Sequence, residues 1–420
     1  MRWATLLLAG WILGARALLQ VPFALAGAAA GTGEAPADPQ AVVRAAWQIV
    51  SEQYFDEKFG GVSWDQALLG RYLKEAAAPG ADGYAVASRM VAELKDPGTF
   101  IIDPATRRQL EQQGVRINVV GIGVLLIEGP EGYPVIGQVL PGGAAADARL
   151  PRGLLITAVD GWATKDQPLD QVASRVRGEA GTRVRLDLER PGGGRRQVEL
   201  TRRPVSVEPK IESRTLPDNI GYIYLPHFGT GMETAFLGEL RKLYRTRALI
   251  LDLRFSQGAG SLETLSHIAG LLTNQWLGIL VFRQGVVALP AQKAESSDNP
   301  LIPAPTSIDF YDKPVAVLVD GGTTFAVLAF ALRANGRAVV VGRPTPARAG
   351  DQQAYFELPG GGLIGVTAAR FHSAAGRPLV GPVVPDITVP IDREFLKAWE
   401  SGSDLDIQRA IELLRRRGAI

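Results

Sequence analysis

The sequence contains no cysteine. That absence excludes disulfides, thiolate metal sites and a cysteine nucleophile. Histidine is almost as scarce: His227, His267 and His372 stand far apart in the chain. No local spacing supports a histidine metal centre, and neither a metal nor an organic cofactor is expected. An excess of one charge is missing too. The 45 basic and 43 acidic residues leave a net charge of +2. Such a balance sets up no phosphate-attracting field, so a nucleic-acid partner is not expected. Beyond the amino terminus there is no apolar run of the roughly 20 residues that a membrane span needs. The amino terminus, MRWATLLLAGWILGARALLQVPFALAG, sets Arg2 before an apolar run from Trp3 to Ala15 and closes with Ala24-Leu25-Ala26. That layout predicts a secretory signal over residues 1–26. Arg16 interrupts the run, and an uncleaved anchor is the alternative. The expectation is an exported chain, periplasmic or extracellular.

What is present is ample core material: 420 residues, 46% hydrophobic and 21% charged, enough for several domains. Residues 27–39, GAAAGTGEAPADP, are small and rich in Gly and Pro and read as a linker. A helical region is predicted over 40–110. In AVVRAAWQIVSEQYF, residues Val42, Ala46, Ile49, Val50 and Tyr54 form one stripe. SWDQALLGRYLKEA opens with Ser63 as its predicted N-cap, YAVASRMVAELK is a third amphipathic helix, and DPGTFIIDP closes the region as a turn. Over 117–207 the hydrophobic period falls to two, in VVGIGVLLIE, YPVIGQVL, LLITAVDG, RVRLDLER and RQVELTRR. From 208 to 392 buried strands alternate with helices, and continuous runs such as ALIL and AVLV predict a sheet covered on both faces. Residues 393–420 form a C-terminal helical segment whose last turn is basic, complementing the helix dipole. The predicted fold class is α+β and multidomain.

Two motifs carry the functional reading. The first is VVGIGV. Its Val120, Gly121, Ile122, Gly123 and Val124 can turn backbone N–H groups toward a carboxylate, beside a groove that takes an extended peptide by strand addition. With VLPGGAAADARLPRGLLITAVDG and PLDQVASRVRGEAGTRVRLDLER it resembles the PDZ domain of carboxyl-terminal processing proteases. Leu154 departs from the family, which usually has aspartate there, and is expected to bear on a turn. The second motif is ILDLRFSQGAG, which resembles the family's ILDLRxNPGG. GLIGVTAARFHSAAGRPLVGPVVPDITV resembles its xLTxARYYTPSGRSIxGxGxxPDxxV. The resemblance covers about residues 40–415. It implies an S41-type peptidase with a ClpP/crotonase-like α/β core, and an oxyanion loop formed by Gly258, Ala259 and Thr324. Ala259 replaces the family's second glycine, and Gln257 its proline.

The family uses a serine nucleophile in NGGSASASEIVAGAL and a lysine base in GExTFGKGxVQ, with a glutamine one turn later orienting the lysine. Here the corresponding stretch reads DGGTTFAVLAFALRANGRAVVVGRPTPARAGDQQ, two residues shorter. Aligned on GRAVVVG, the nucleophile position falls on Thr323, the base on Arg348, the glutamine on Gln352 and the family's glutamate on Ala326. Aligned on LVDGG, the nucleophile position falls on Phe325. An arginine does not act as this base, because its pKa above about 12 keeps it charged even when buried. The expectation is a pseudopeptidase that binds C-terminal tails of exported or membrane proteins or an active relative, and homo-oligomerises as relatives do. The alternative is an endopeptidase with a rearranged site, using Thr324, Ser256, Ser261 or Ser373 with His227 or His372. His267 is expected to be a helix-face residue.

Overall fold

The structure, a computed structural model, describes residues 37–113, 117–207, 209–256, 260–290, 311–347 and 349–416. The predicted signal segment lies outside them, as does the linker up to residue 36.

The chain opens with helices α1 (Pro39–Gln53), α2 (Gln66–Ala76) and α3 (Gly83–Ala92), then strand β1 (Phe100–Ile102) and α4 (Pro104–Gln113). Of the predicted stripe, Val42, Ala46, Val50 and Tyr54 are buried together with Val43, and Ile49 is half-buried against them. Each of the first three helices starts on an aspartate: Asp38, Asp65 and Asp82 accept first-turn N–H groups, which satisfies donors a helix leaves orphaned. For α2 this corrects the expected Ser63 cap. The Asp65 carboxylate reaches the N–H of both Ala67 and Leu68, and Ser63 lies two residues too early. The turn expected at DPGTFIIDP contains β1, which pairs antiparallel with residues 363–365.

A β-rich unit follows: β2 (Ile117–Gly121), β3 (Val124–Glu128), β4 (Pro134–Val139), α5 (Ala144–Asp147), β5 (Leu155–Val159), β6 (Trp162–Ala163), α6 (Leu169–Val176), β7 (Arg183–Glu189), β8 (Arg195–Thr201) and β9 (Arg203–Val207). Its main sheet runs β3-β4-β5-β7-β8, so β3 is an edge, and α6 packs against that edge. Strand β7 sends Val184, Leu186 and Leu188 inward and Arg183 and Arg185 outward, as the two-residue period requires. Leu154 is a wholly buried core residue here, not a turn residue as expected. An aspartate at that position would need a partner that this apolar interior lacks.

The third unit contains β10 (Glu212–Leu216), β11 (Ile220–Tyr224), α7 (Met232–Lys242), β12 (Ala248–Asp252), α8 (Leu262–Gly270), β13 (Gly278–Phe282), β14 (Gly285–Leu289), β15 (Val315–Val319), α9 (Val327–Ala334), β16 (Ala338–Gly342), β17 (Asp351–Leu358), β18 (Gly362–Ser373) and β19 (Ile387–Thr388). One sheet runs β10-β11-β12-β15-β16-β19, parallel from β11 onward. Alternate residues of β12, β15 and β16 point to opposite apolar layers. Leu249, Leu251, Val317 and Val340 meet α7, α8 and α9. Ile250, Leu318, Val339 and Val341 meet α10 (Arg393–Glu400) and α11 (Leu405–Arg416). Val135 and Leu155 of the β-rich unit belong to that second layer. The C-terminal helices are therefore packed between the β-rich unit and the large sheet. A second sheet, β1-β18-β13-β14 with β17 on β18, carries the N-terminal helices through Leu358, Ile364 and Val366.

Candidate active site

The parallel strands β12 and β15 end side by side, and their following loops form the candidate site. After β12 comes Leu253-Arg254-Phe255-Ser256. Phe255 has φ +57°, left-handed backbone that a bulky residue rarely takes. Its N–H donates to Asp320 Oδ1 at 3.1 Å. After β15, Asp320-Gly321-Gly322 turns the chain toward α9, and the Gly322 N–H donates to the same carboxylate oxygen at 2.9 Å. The two loops are thus pinned together by one buried aspartate. Burial pushes the Asp320 carboxyl above its ordinary range, against the opposing pull of those N–H groups, Arg343 and Arg254.

That shift has a pH signature. A carboxyl whose folded pKa is raised favours the fold most below its unfolded pKa, near 3.9, and loses that contribution as pH rises through the folded value. Asparagine keeps the accepting oxygen and carries no charge. Asp320→Asn is therefore expected to be more stable than the parent at pH 8, by on the order of 1 kcal/mol. The gain should disappear by pH 3. Urea melts across that range check it, and a loss of stability at pH 8 would contradict it.

Thr323 has no solvent exposure. Its hydroxyl donates to Leu253 O at 2.8 Å and accepts from Asp320 N–H at 3.0 Å, so both roles of the oxygen are taken by backbone. Thr324 commits its hydroxyl and its N–H to Ser256 O, at 3.0 and 3.2 Å. The next side chain, Phe325, packs against Phe228, the rings tilted by 31° with centroids 4.9 Å apart. A Cβ added at Gly260 would lie 2.8 Å from atoms of both residues, so glycine is required where the β12 loop passes this pair. The aromatic pair and the Asp320 pin were not legible in the sequence. Ala326, at the family's glutamate position, is buried at the start of α9.

Gln352 lies near the start of β17, half-buried, and its Nε2 donates to Asp351 O at 3.3 Å, with no hydrogen bond to Thr323 or Thr324. Asp351 Oδ1 accepts from Arg370 Nε at 2.9 Å, and that guanidinium stands 4.4 Å over the Phe55 ring. Gly258, Ala259 and Arg348 lie outside the described residues.

The residues of the rearranged alternative are placed as follows. Ser261 caps α8, accepting from Glu263 and Thr264 N–H. Ser373 accepts from Arg377 N–H, and His372 Nδ1 lies 3.3 Å from Gly376 O in the same turn. His227 Nδ1 accepts from Gly229 N–H at 3.1 Å. His267 lies in the last turn of α8. Ser256 Oγ is buried and has no hydrogen-bond partner among the described residues. No group of three or more histidine or carboxylate side chains is placed to hold a metal among the described residues.

In the β-rich unit, Val120 is 39% exposed at the end of β2 and Ile122 is buried. Gly121 is buried as well. Gly123 has φ +79°, and a Cβ there would lie 2.7 Å from Gly143 Cα, so both conformation and space require glycine. Ala145 N–H donates to Ile122 O and Leu140 N–H to Gly123 O, each at 2.9 Å. Val124 then opens the edge strand β3.

The family model for peptidase family S41 matches residues 219–389. A carboxyl-terminal-processing protease of Picosynechococcus sp. is 31% identical over 396 residues, spanning 91% of each chain. Carboxyl-terminal-processing peptidase 2, chloroplastic, of Arabidopsis thaliana is 30% identical, over 85% of this chain and 69% of that protein. Among solved structures, the photosystem II D1 C-terminal processing protease superposes with a TM-score of 0.58 at 28% identity, covering 85% of this chain and 94% of its own. On a mixed α+β fold whose β12 and β15 loops meet over the Asp320 pin, with relatives aligned along nearly its whole length, this chain belongs to the carboxyl-terminal processing proteases of peptidase family S41.

Proposed function

We propose that the chain binds protein C-terminal tails without cutting them. Residues 117–207 act as a PDZ domain. The Val120–Val124 turn receives the tail carboxylate, and the exposed edge of β3 beside α6 takes the tail as an added strand. One observation carries the pseudopeptidase reading: the segment holding the nucleophile in the family offers no free hydroxyl here. Thr323 and Thr324 are tied to Leu253 O and Ser256 O, and Phe325 fills its place with a ring. An Arg348 base would remain charged, and a hydroxyl without a base is a poor nucleophile. The chain is exported, and its partners are tails of exported or membrane proteins or an active relative, met by a homo-oligomer.

A second reading rests on Ser256, whose buried hydroxyl has no partner among the described residues. In that reading the chain is an endopeptidase with a rearranged site. One experiment separates the two. Purified residues 27–420 are incubated with an unfolded substrate ending in an apolar tail, and binding of the same tail peptide is measured directly. Binding without cleavage is expected, with Phe325→Ser plus Arg348→Lys gaining slow cleavage. Cleavage by the parent that Ser256→Ala abolishes would replace the first reading with the second. Tail peptide that fails to bind would remove the PDZ assignment.

A further inference from the structure

The edge strand β3 and the helix α6 bound one groove, and its two ends differ in charge. Residues 124–128 make no backbone hydrogen bond outside their pairing with β4 among the described residues, so the other edge of β3 is an open template. Helix α6 runs alongside it in the opposite direction. Just before its start, Asp166 N–H donates to Gly132 O at 2.7 Å, in the turn that follows β3. Just after its end, Gly178 N–H donates to Val120 O at 3.4 Å, in the turn that precedes β3. Arg202 fixes this end of α6. It is 8% exposed, and its guanidinium donates to Arg175 O at 2.8 Å and Val176 O at 3.1 Å, carbonyls that a helix leaves open.

Arg177, Glu128 and Asp170 are exposed and make no side-chain hydrogen bond or ion pair among the described residues. Arg177 stands at the Val120–Val124 turn: a Cβ at Gly121 would lie 3.6 Å from its Cα and 3.7 Å from its Cγ. Glu128 and Asp170 stand at the other end. Val124 and Leu126 pack into the core that α6 covers, whereas Ile127 faces the opposite layer, so alternation returns Glu128 to the α6 side. Of the other charges nearby, Arg203 is paired with Asp147 at 2.6 Å, Glu131 with Arg393 at 2.6 and 2.9 Å, and Arg175 lies 4.2 Å over the Trp162 ring. Lys165 and Asp166, in the loop before α6, carry opposite signs. The groove is thus positive at the turn and negative about 10–13 Å away, the span of α6 and of β3.

Resting on the tail-binding reading, we propose that this groove selects tails that end in an apolar residue and carry Lys or Arg at the fifth residue from the end. With its carboxylate at the Val120–Val124 turn, a tail added to β3 must run antiparallel to it. Its last residue then faces Val124 and the fifth from its end faces Glu128, and both point to the α6 side. Arg177 meets the terminal carboxylate. Glu128 and Asp170 meet the upstream cation and repel a carboxylate placed there. The selection acts on binding, whether or not a bound tail is cut.

Short fluorescent peptides provide the test. They end in valine and differ only at the fifth residue from the end, which is lysine, serine or glutamate, and each is made with a free and with an amidated terminus. Anisotropy with the full chain should favour lysine over glutamate by about tenfold, with serine between them. The difference should shrink as salt rises. Glu128→Lys with Asp170→Lys should reverse the order. Glu128→Gln with Asp170→Asn should level it, and serves if the reversal disturbs the fold. Arg177→Gln should weaken the free-acid peptides about fivefold and leave the amidated ones unchanged. Free-acid peptides that bind equally whatever their fifth residue would overturn the proposal and leave the tail-binding reading standing. A lysine preference that survives both pairs of substitutions would overturn it too, by placing the selecting charge elsewhere. Failure of every free-acid peptide to bind would overturn the tail-binding reading and the selectivity with it.

Discussion

Arg254→Leu is expected to destabilise the chain by about 3–5 kcal/mol, a large share of the roughly 5–15 kcal/mol that holds a domain folded. The side chain is 5% exposed, and every donor of its guanidinium is used. Nε and Nη2 reach the two oxygens of Asp252 at 2.9 and 2.6 Å. Nη1 and Nη2 reach those of Asp404 at 3.0 Å each, and Nη1 reaches Asp406 Oδ2 at 2.6 Å. Arg343 covers Asp406 from the other side at 2.8 and 2.9 Å, and Arg152 lies 3.6 Å from Asp404. Tyr222 donates to Asp252 at 2.8 Å. Burial alone would lower the Arg254 pKa, but Asp252 and Asp404 hold it well above its ordinary value. Three arginines and three aspartates thus balance inside the protein. Removing Arg254 strands carboxylates in an interior that cannot solvate them. Arg254→Lys should lose part of the same stability, since an ammonium has three donors where five are in use. Urea unfolding decides the matter, and a loss below about 1 kcal/mol for Arg254→Leu would mean that water reaches the cluster.

The sheet residues in this network were legible in advance and the network was not. ALIL and AVLV read as doubly covered strands because no polar residue interrupts either run. The inward Val184, Leu186 and Leu188 read from simple alternation. Both patterns are local, and local patterns survive into the structure. Strand β1 failed that test, since three residues carry no period and its partners lie more than 250 residues away. The departure at Leu154 was expected to bear on a turn, whereas its side chain enters the core. The candidate site divides in the same way. The DGGTTF segment could be found from its glycines. Whether the Thr323 hydroxyl faced the cleft or the backbone depended on Leu253 O, 70 residues earlier. Nothing within the segment distinguished the two orientations. The packing of Phe325 against Phe228 is likewise a contact across the fold.

The C-terminal segment could be read as amphipathic helix, and its position as a wedge points to the other large effect. Trp399→Ala is expected to cost about 3–5 kcal/mol and to loosen the β-rich unit from the peptidase core. Trp399 is 2% exposed in the layer that also holds Phe395, Leu396, Val135 and Leu155. Its ring packs on Phe395 with centroids 4.7 Å apart and lies 4.6 Å beneath the Arg152 guanidinium. Gly153 fits against this helix only because it has no side chain, since a Cβ would stand 2.8 Å from Leu396 O. The rim is ionic. Arg393 binds both oxygens of Glu131, at 2.6 and 2.9 Å, and Glu189 at 3.0 Å, and Arg190 lies 3.3 Å from Glu400. Hydrogen bonds from Arg393 hold the Glu131 and Glu189 carboxyls below their ordinary range. Carboxyls shifted in that direction support the fold above their unfolded pKa, near 4.3, and lose that support as pH falls through the lower folded value. The rim should therefore weaken in acid while the apolar wedge holds. Exposed pairs of this kind contribute little singly, so Arg393→Ala should raise hydrogen exchange at residues 130–135, 150–155 and 189–192 only modestly, and Trp399→Ala should raise it strongly. Parental exchange in those three segments for Trp399→Ala would show that the β-rich unit is held by other contacts. The same variant also bears on the proposed tail binding: tail affinity that survives in the loosened protein would place the proposed groove wholly within the β-rich unit, and affinity that falls would make the C-terminal helices part of it.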